Sequence, residues 1–343
     1  MKPVIIDAVC SVARHVPIKL DKLELSGTIP AVEGTVIAAR ISNDKKIYNR
    51  LETPNGRQIR MQKGKKYLLV LGNRAAIDGF VGHVPERVAV GDMLQILNLG
   101  GLCGICRGGT KRYVGNPFNV KVLGSVMLNG KPANIADYAP VQAAPQVTTQ
   151  KKLILVFGTS MNSGKTHAAC QVIESLTHAG KKVAAAKVTG AGCLKDTLRM
   201  HRHGALHTRD LVDTGLASTL TKKDTLHAAM GLINDLSVTD CEYIVIEAGD
   251  GIIGNYHGNQ VIYAPEFQRK TVLAIGCAHD LTGVWGLRQL SEKHAFRLDL
   301  ISGPVTDNIS GTEYIEDKWQ LPTANAKSNI THFRAQIRSL LKM

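Results

Sequence analysis

The sequence predicts an α/β protein, with a C-terminal domain on a mostly parallel sheet and a smaller β-rich domain before it. From residue 151 onward, short apolar runs alternate with helical patterns, which is typical of a parallel sheet covered on both faces. Before residue 139, turn residues separate short apolar runs and no long helical period appears. A stretch rich in Ala, Pro and Gln lies between them. We therefore predict a basic β-rich domain over 1–138, a linker over 139–150 and the α/β domain over 151–343.

The β-rich domain contains short runs of apolar or alternating residues, the pattern of strands with one buried face. Asn129-Gly130 is a strong signal for a tight turn after one of these strands. Short strands without helices favour a small barrel or sandwich. The predicted strands are Ala31–Ser42, Lys66–Gly72, Arg87–Asn98 and Asn119–Leu128.

The α/β domain opens on a motif that predicts a P-loop NTPase. An apolar strand, Leu153–Phe157, runs into a small-residue loop that ends in Gly164-Lys165-Thr166, and a helical pattern follows to Ala179. In such a loop the backbone N–H groups and the helix N-terminus attract phosphate. Lys165 would neutralise the β- and γ-phosphates and the Thr166 hydroxyl would bind Mg²⁺.

The loop departs from the usual motif at its start, because Thr159 occupies the first glycine position and Gly158 comes one residue earlier. The alternative is an ordinary strand–turn–helix with a chance Gly-Lys-Thr, but strand, loop and helix come in the order that the motif requires. The residues predicted to bind nucleotide are Gly158, Thr159, Ser160, Asn162, Ser163, Gly164, Lys165 and Thr166.

The rest of this domain is predicted to continue the alternation of strands and helices. A loop and a helix follow the second strand and end near residue 235. The further predicted strands are Lys182–Val188, Tyr243–Glu247, Val272–Gly276 and Leu298–Gly303, and the further predicted helices are Leu287–His294 and Ile330–Leu341.

Two strands of this domain end in charged residues, Lys187 and Glu247. Ligands of parallel sheets bind at the carboxyl ends of the strands, so we predict that Lys165, Lys187 and Glu247 are catalytic and that Glu247 joins Thr166 in holding the metal. The alternatives are a lysine that reaches solvent at a sheet edge and a capping or salt-bridged acid. Asp210 and Asp213 are interpreted as acids of a solvated loop, although either could reach Mg²⁺.

These residues carry a family resemblance. Gly158-Thr159 with Gly164-Lys165-Thr166, then Lys187, then Glu247-Ala248-Gly249-Asp250-Gly251, resembles the dethiobiotin synthetase-like branch of P-loop NTPases, in the group of the MinD-like ATPases and cobyrinic acid synthases. The resemblance covers roughly 151–310, and the whole chain is similar to a two-domain bacterial family. It implies that Lys187 contacts the transferred phosphoryl group or the acceptor and that Glu247 is a metal ligand.

Composition restricts the class of protein. The chain has 343 residues, 44% of them hydrophobic, and contains no apolar run long enough to span a membrane. The apolar stretch before Asp7 is too short for us to expect a signal peptide. Its seven cysteines form no disulfide pattern, so we expect a reducing, cytoplasmic location. The net charge is +14, of which residues 1–150 carry +10. That excess favours an anionic partner, and the alternative is a solvated basic surface.

From these observations we predict a Mg²⁺- and ATP-dependent enzyme that phosphorylates or activates a small anionic acceptor between the two domains. ATP is the default, because Gly303–Asn308 stands where a guanine-binding Asn-Lys-x-Asp motif would lie. The alternatives are a nucleotide switch or a metal- or cofactor-delivery NTPase, and then a nucleic-acid-dependent ATPase. The resemblance also makes a homodimer an expectation.

Cysteine and histidine residues offer two further candidates. Cys103 and Cys106 have the spacing of half a zinc site or of a redox pair, but their β-rich context favours a structural turn. His201, His203 and His207 admit a metal-delivery role, although an anion-binding or exposed face is the more common use of such a cluster. His279-Asp280 admits a general base, with a helix cap at Asp280 as the favoured alternative.

Overall fold

The structure is a computed structural model that describes residues 4–220 and 225–343. The described chain forms two compact units. The first comprises residues 4–141, 191–195 and 211–220, and the second comprises 142–190, 196–210 and 225–343. The domain boundaries given above stay a prediction. Two short segments from within the α/β part of the sequence belong to the first unit, which no sequence pattern indicated.

The first unit is made almost entirely of short strands. Its helical parts are α1 (Lys111–Val114) and the 3₁₀ turns Ser11–Ala13, Leu20–Lys22, Ile135–Tyr138 and Leu211–Thr214. The strands are β1 (Ala8–Val9), β2 (Glu24–Ser26), β3 (Val36–Ile41), β4 (Arg50–Glu52), β5 (Gln58–Arg60), β6 (Lys66–Leu71), β7 (Arg74–Ala75), β8 (Phe80–His83), β9 (Met93–Ile96), β10 (Leu102–Gly109), β11 (Phe118–Leu128) and β12 (Lys131–Pro132).

Five of these strands close into a ring. The order β6, β3, β11, β9, β10 is continuous, and β10 pairs with β6 in parallel and completes the circle. The buried residues of these strands are mainly Val, Ile, Leu and Ala and belong to one packed apolar core. Closure leaves the five ring strands with a neighbour on each side, which removes open edges from the core of this unit.

The segment 191–195 packs into the first unit through glycines. A Cβ atom on Gly100 would lie 2.1 Å from the carbonyl oxygen of Gly192, so only glycine permits this approach. The Asn98 side chain donates to the same oxygen at 2.8 Å. Leu211 and Val212 of the other inserted segment are buried in the core of this unit.

The second unit alternates strands and helices. Its strands are β13 (Lys152–Gly158), β14 (Val183–Thr189), β15 (His207–Asp210), β16 (Tyr243–Ala248), β17 (Thr271–Cys277) and β18 (Leu300–Ser302). Its helices are α2 (Lys165–His178), α3 (Lys195–Arg202), α4 (Thr225–Ser237), α5 (Gly258–Tyr263), α6 (Pro265–Gln268), α7 (Leu281–His294), α8 (Ile309–Trp319) and α9 (Ile330–Leu341), with a 3₁₀ turn at Pro304–Thr306.

The six strands form one sheet in the order β15, β14, β16, β13, β17, β18, and every pairing is parallel. The predicted α/β class with a β-rich companion is thereby confirmed. Helices α2 and α9 cover one face, and α4, α5 and α7 cover the other. Since β13 lies in the middle, its carboxyl end opens among the ends of β16 and β17.

The structure adds elements that the sequence analysis did not assign. Strand β15 and helix α3 lie where one loop was expected, and helix α8 follows β18. Helix α9 has the predicted bounds, because its apolar positions repeat at helical spacing. Within the part of the chain that the structure describes, no helix is long and apolar enough to cross a membrane.

Candidate functional site

The predicted phosphate loop lies between strand β13 and helix α2. Gly164 has φ +98° and Asn162 has φ +62°, and this left-handed backbone turns the chain sharply into the helix. Loop residues Thr159–Gly164 and the N-terminus of a 14-residue helix thus follow a central strand, as the motif requires.

The Lys165 side chain folds back into this loop. Its ammonium donates to the Ser160 carbonyl oxygen at 2.6 Å and to Ser163 Oγ at 3.4 Å. Lys165 is only 6% exposed, and burial lowers the pKa of its ammonium, while the nearby Glu247 carboxylate acts in the opposite direction. These hydrogen bonds of Lys165, within the described part of the chain, go to neutral oxygens, so this buried cation is prepared to meet an anion in the loop.

Glycines make room for the loop against the neighbouring strands. A Cβ on Gly158 would lie 2.4 Å from Ser163 Oγ, and a Cβ on Gly303, after β18, would lie 2.3 Å from the Ser163 carbonyl oxygen. The Thr159 N–H donates to the Cys277 carbonyl oxygen at 2.9 Å, which fixes the start of the loop to β17. The loop is therefore shaped by backbone contacts on several sides.

Glu247 faces the first turn of helix α2 from the end of β16. Its Oε1 accepts a hydrogen bond from the Thr166 hydroxyl at 3.1 Å and lies 3.5 Å from Lys187 Nζ. The residue is 1% exposed, and burial raises the pKa of its carboxyl group, an effect that Lys187 opposes. Among the described residues, the other oxygen, Oε2, is buried without a hydrogen-bond partner.

These groups fit a Mg²⁺–nucleotide complex. An unsatisfied buried carboxylate oxygen beside a threonine hydroxyl is a donor set that a hard divalent cation accepts. The glycine-lined loop and the Lys165 ammonium offer the matching place for phosphate oxygens. The structure brings together Lys165, Thr166, Lys187 and Glu247, the four residues that the sequence predicts to be catalytic or metal-binding. Their roles stay a prediction.

A second carboxylate, which the sequence analysis did not identify, completes the cluster. Asp196, in the first turn of α3, forms an ion pair with Lys187. No spacing or motif marks Asp196, because its position depends on how α3 packs after β14. Lys187 is thus held inside the site, and it does not reach solvent at a sheet edge.

The turn after β16 packs against the loop through its glycines. The Thr189 hydroxyl donates to the Gly249 carbonyl oxygen at 3.0 Å. A Cβ on Gly251 would lie 2.4 Å from the Thr159 carbonyl oxygen. The Ile252 N–H donates to the Gly158 carbonyl oxygen at 2.8 Å. This turn therefore connects Glu247 to the start of the phosphate loop.

A cavity of about 130 Å³ opens beside the loop. By the same measure a water molecule needs only ~10–15 Å³, so the cavity accepts a larger group. Within its wall, Asn325 Nδ2 donates to Asp307 Oδ1 at 2.8 Å. The lining residues are Asn162, Gly164, His167, Ser302, Gly303, Pro304, Asp307, Asn325, Ala326 and Lys327.

Two acids interpreted as solvated are buried. Asp210 is 2% exposed at the end of β15, in register with Lys187 of β14. Asp213 is 6% exposed and, within the first unit, bonds to Arg14 at 2.8 Å and to His15 at 2.6 Å. The interpretation was wrong, because the chain here forms a strand and a buried turn instead of an open loop.

The cysteine and histidine candidates do not form a metal centre in the described part of the chain. Cys103 is buried and Cys106 is half-buried on β10, and the Cys106 thiol donates to the Gly108 carbonyl oxygen at 3.3 Å. His203 bonds to Glu174 at 2.7 Å and His201 bonds to the Ala205 carbonyl oxygen at 2.9 Å.

The His279-Asp280 pair follows β17. The Asp280 carboxylate accepts from the Gly283 N–H at 2.7 Å and caps α7, which is the favoured alternative. The His279 ring lies 3.0 Å from the Met161 carbonyl oxygen of the phosphate loop.

Comparison with known proteins gives structural likeness only. No family model and no curated protein matches the chain. A cell division protein FtsY from Thermotoga maritima is 15% identical, with a TM-score of 0.40 over 60% of this chain and 73% of its own. A signal recognition particle receptor FtsY from Elizabethkingia anophelis in complex with GDP is 12% identical, with a TM-score of 0.39 over 61% and 69%.

A third structure, the signal recognition particle 54 kDa protein from Aeropyrum pernix in complex with GDP, is 16% identical, with a TM-score of 0.38 over 60% of this chain and 50% of its own. Two of these structures are signal recognition particle proteins in complex with GDP, and the other is a cell division protein. None of the three is named as a kinase or a ligase. The prediction of an enzyme that phosphorylates or activates a small anionic acceptor is therefore wrong, and we correct it here.

Proposed function

We propose that the second unit is a nucleotide switch, a P-loop NTPase that binds GTP with Mg²⁺ and changes state when the terminal phosphate is lost. The observation that carries this proposal is the double contact of Glu247 Oε1, which meets both the Thr166 hydroxyl of the phosphate loop and the Lys187 ammonium of β14. A change of charge at the loop therefore acts, through Glu247, on Lys187, which lies outside the loop. A nucleotide switch requires such a contact between the phosphate site and another part of the protein.

Each of the site residues has a defined task in this proposal. The loop N–H groups and Lys165 would hold the phosphates, and Thr166 and Glu247 would hold Mg²⁺. When bound, Mg²⁺ supplies positive charge that stabilises the phosphate oxygens. Lys165, which donates to the Ser160 carbonyl oxygen, would exchange this neutral partner for a phosphate oxygen.

The cavity beside the loop supports GTP over ATP. The Asp307 carboxylate in its wall is a hydrogen-bond acceptor. Guanine presents two adjacent donors, a ring N–H and an amino group, whereas adenine presents an acceptor at the corresponding ring nitrogen. A carboxylate therefore favours guanine.

The proposal also includes a family resemblance and a cellular compartment. The resemblance to the dethiobiotin synthetase-like branch is kept for the positions of Lys165, Lys187 and Glu247 only. A reducing intracellular compartment is supported by the seven cysteines, which form no disulfide in the described part of the chain.

The test is substitution of the phosphate-loop lysine. In wild-type protein, GDP or GTP with Mg²⁺ is expected to raise the melting temperature, because a ligand at 100 times its Kd adds about 2.7 kcal/mol of stability. Lys165→Ala is expected to lose this increase. The nucleotide-free variant should melt no lower than wild type, because the substitution removes a buried cation whose pKa burial has lowered.

Lys182→Ala is the matched control, because Lys182 is an exposed lysine of the same unit with only a surface ion pair to Asp240. It should keep the full nucleotide effect. Nucleotide stabilisation that survives in Lys165→Ala would place the nucleotide elsewhere and contradict the proposal.

A further inference from the structure

Lys187 lies in a row of charged residues across the sheet. In the strand register it is opposite Asp210 of β15 on one side and Glu247 of β16 on the other. Registered residues of neighbouring strands point to the same face of a sheet. The Lys187 side chain therefore leaves the sheet between two carboxylate-bearing residues, and only 16% of it is exposed.

Lys187 also pairs with a carboxylate outside this row. Its ammonium pairs with Asp196 Oδ2, while Glu247 Oε1 is 3.5 Å away. Asp196 is the second residue of α3, where a negative charge is favoured by the helix N-terminus. Lys187 thus connects the carboxylate that faces the phosphate loop to the first turn of another helix.

We propose that Asp196 is a positioning residue, which competes with the terminal phosphate of a nucleoside triphosphate for the Lys187 ammonium. This inference rests on the proposed function. Lys165 would meet the β- and γ-phosphates from inside the loop, and a second cation that reaches the terminal phosphate from outside it would add to the distinction between triphosphate and diphosphate. Lys187 is such a group, because it contacts the same Glu247 oxygen that Thr166 contacts.

The competition has a direction. Asp196 already pairs with Lys187, so a phosphate that recruits Lys187 has to displace a carboxylate. A diphosphate held by the loop alone leaves the pair intact. Loss of the Asp196 charge should therefore strengthen triphosphate binding and leave diphosphate binding nearly unchanged, since only differential interaction shifts the balance between two states.

The experiment is a double-mutant cycle on the full chain, with affinities measured for GDP and for a non-hydrolysable GTP analogue in the presence of Mg²⁺. Asp196→Asn is expected to raise the ratio of analogue to GDP affinity by about tenfold. Asp196→Glu should restore the wild-type ratio. In a Lys187→Gln background, Asp196→Asn should have no further effect, because its partner is gone.

Asp235→Asn is the charge-matched control, because Asp235 of the same unit pairs with Arg209 and has no contact with Lys187 among those described. It should leave the ratio unchanged. If Asp196→Asn does not fold, as judged by melting without nucleotide, the same cycle is run with Asp196→Ser.

Two failures can be told apart. In the first, wild-type protein binds nucleotide, but the effects of Asp196→Asn and Lys187→Gln on the affinity ratio are additive. Asp196 then acts only as a general negative charge, and the inference is overturned while the proposed function stands. An unchanged ratio in Asp196→Asn has the same meaning. If wild-type protein binds neither nucleotide, the proposed function itself is overturned together with the inference.

Discussion

Single residues in the site are held in states that are costly without a ligand. Burial disfavours the charged forms of both residues, so it lowers the pKa of the Lys165 ammonium and raises the pKa of the Glu247 carboxyl group. Their mutual attraction offsets part of this cost, and Lys187 adds a second cation on the side of Glu247. We infer that Mg²⁺ and phosphate offset the rest of the cost of burying these charges. Nucleotide binding should therefore stabilise this cluster by more than a surface ion pair would.

Asp307 is predicted to decide base specificity. Asp307→Asn replaces an acceptor by a side chain that also presents a donor, so the affinity for GDP should fall by about tenfold to a hundredfold. The affinity for ADP should not fall, because adenine gains nothing from the carboxylate. Isothermal titration of both nucleotides checks this prediction.

The control is Asp317→Asn, an equal loss of charge at an exposed acid of α8 that does not line the cavity. It should bind both nucleotides as the wild type does. Equal weakening of GDP and ADP by Asp307→Asn would show that the residue contributes only charge and that another group selects the base.

At the scale of elements, most of the second unit could be predicted because its strands are buried apolar runs. Lys152–Gly158 and Tyr243–Ala248 are apolar for almost their whole length, which needs no tertiary information. Strand β15 (His-Thr-Arg-Asp) has no apolar pattern and depends on its pairing with β14. Asp196 escaped prediction for a related reason, since packing alone brings it to Lys187.

The end of β18 is predicted to shape the phosphate loop. Gly303 has φ +98°, and a Cβ there would lie 2.3 Å from the Ser163 carbonyl oxygen. Gly303→Ala should therefore displace the loop and weaken GDP binding at least tenfold, because the strain falls on backbone. Circular dichroism should remain that of the wild type.

Gly286→Ala serves as the comparison for this substitution. Gly286 lies in α7 with nothing within 4 Å of an added Cβ, and alanine is the better helix former by about 1 kcal/mol. This variant should bind GDP normally and melt slightly higher. Normal GDP binding by Gly303→Ala would mean that the loop tolerates the shift and is not fixed by β18.

At the scale of the whole molecule, the basic excess of +10 over residues 1–150 lies mainly in the first unit. The expectations of a small anionic ligand, a nucleic acid or a second copy of the chain stay predictions. Fold class and phosphate loop followed from periodicity and one motif, whereas the two inserted segments of the first unit follow from long-range packing that no local pattern encodes.

The cysteines give a test that spans the molecule. Five of the seven are buried, and burial raises the pKa of the Cys10 and Cys277 thiols to about 12. Cys106 and Cys193 are half-buried and should be alkylated by iodoacetamide at about pH 8 before the buried five, Cys103 of the Cys-x-x-Cys motif included. Peptide mapping by mass spectrometry checks the order.

Alkylation in denaturant provides the reference, since all seven thiols should then react. A Cys106 that reacts only after addition of a reductant would reveal a bond with Cys103 and restore the redox interpretation. Modification of Cys277 as fast as Cys106 in native protein would contradict the buried position of β17.

The inclusion of residues 191–195 and 211–220 in the first unit has a consequence for biosynthesis. Leu211 and Val212 belong to the core of that unit, so the amino-terminal part cannot complete its interior until the ribosome has passed residue 212 and released it from the exit tunnel. The portion made first is thereby finished late. A truncated transcript ending at the linker would yield a polypeptide with an unfilled hydrophobic gap.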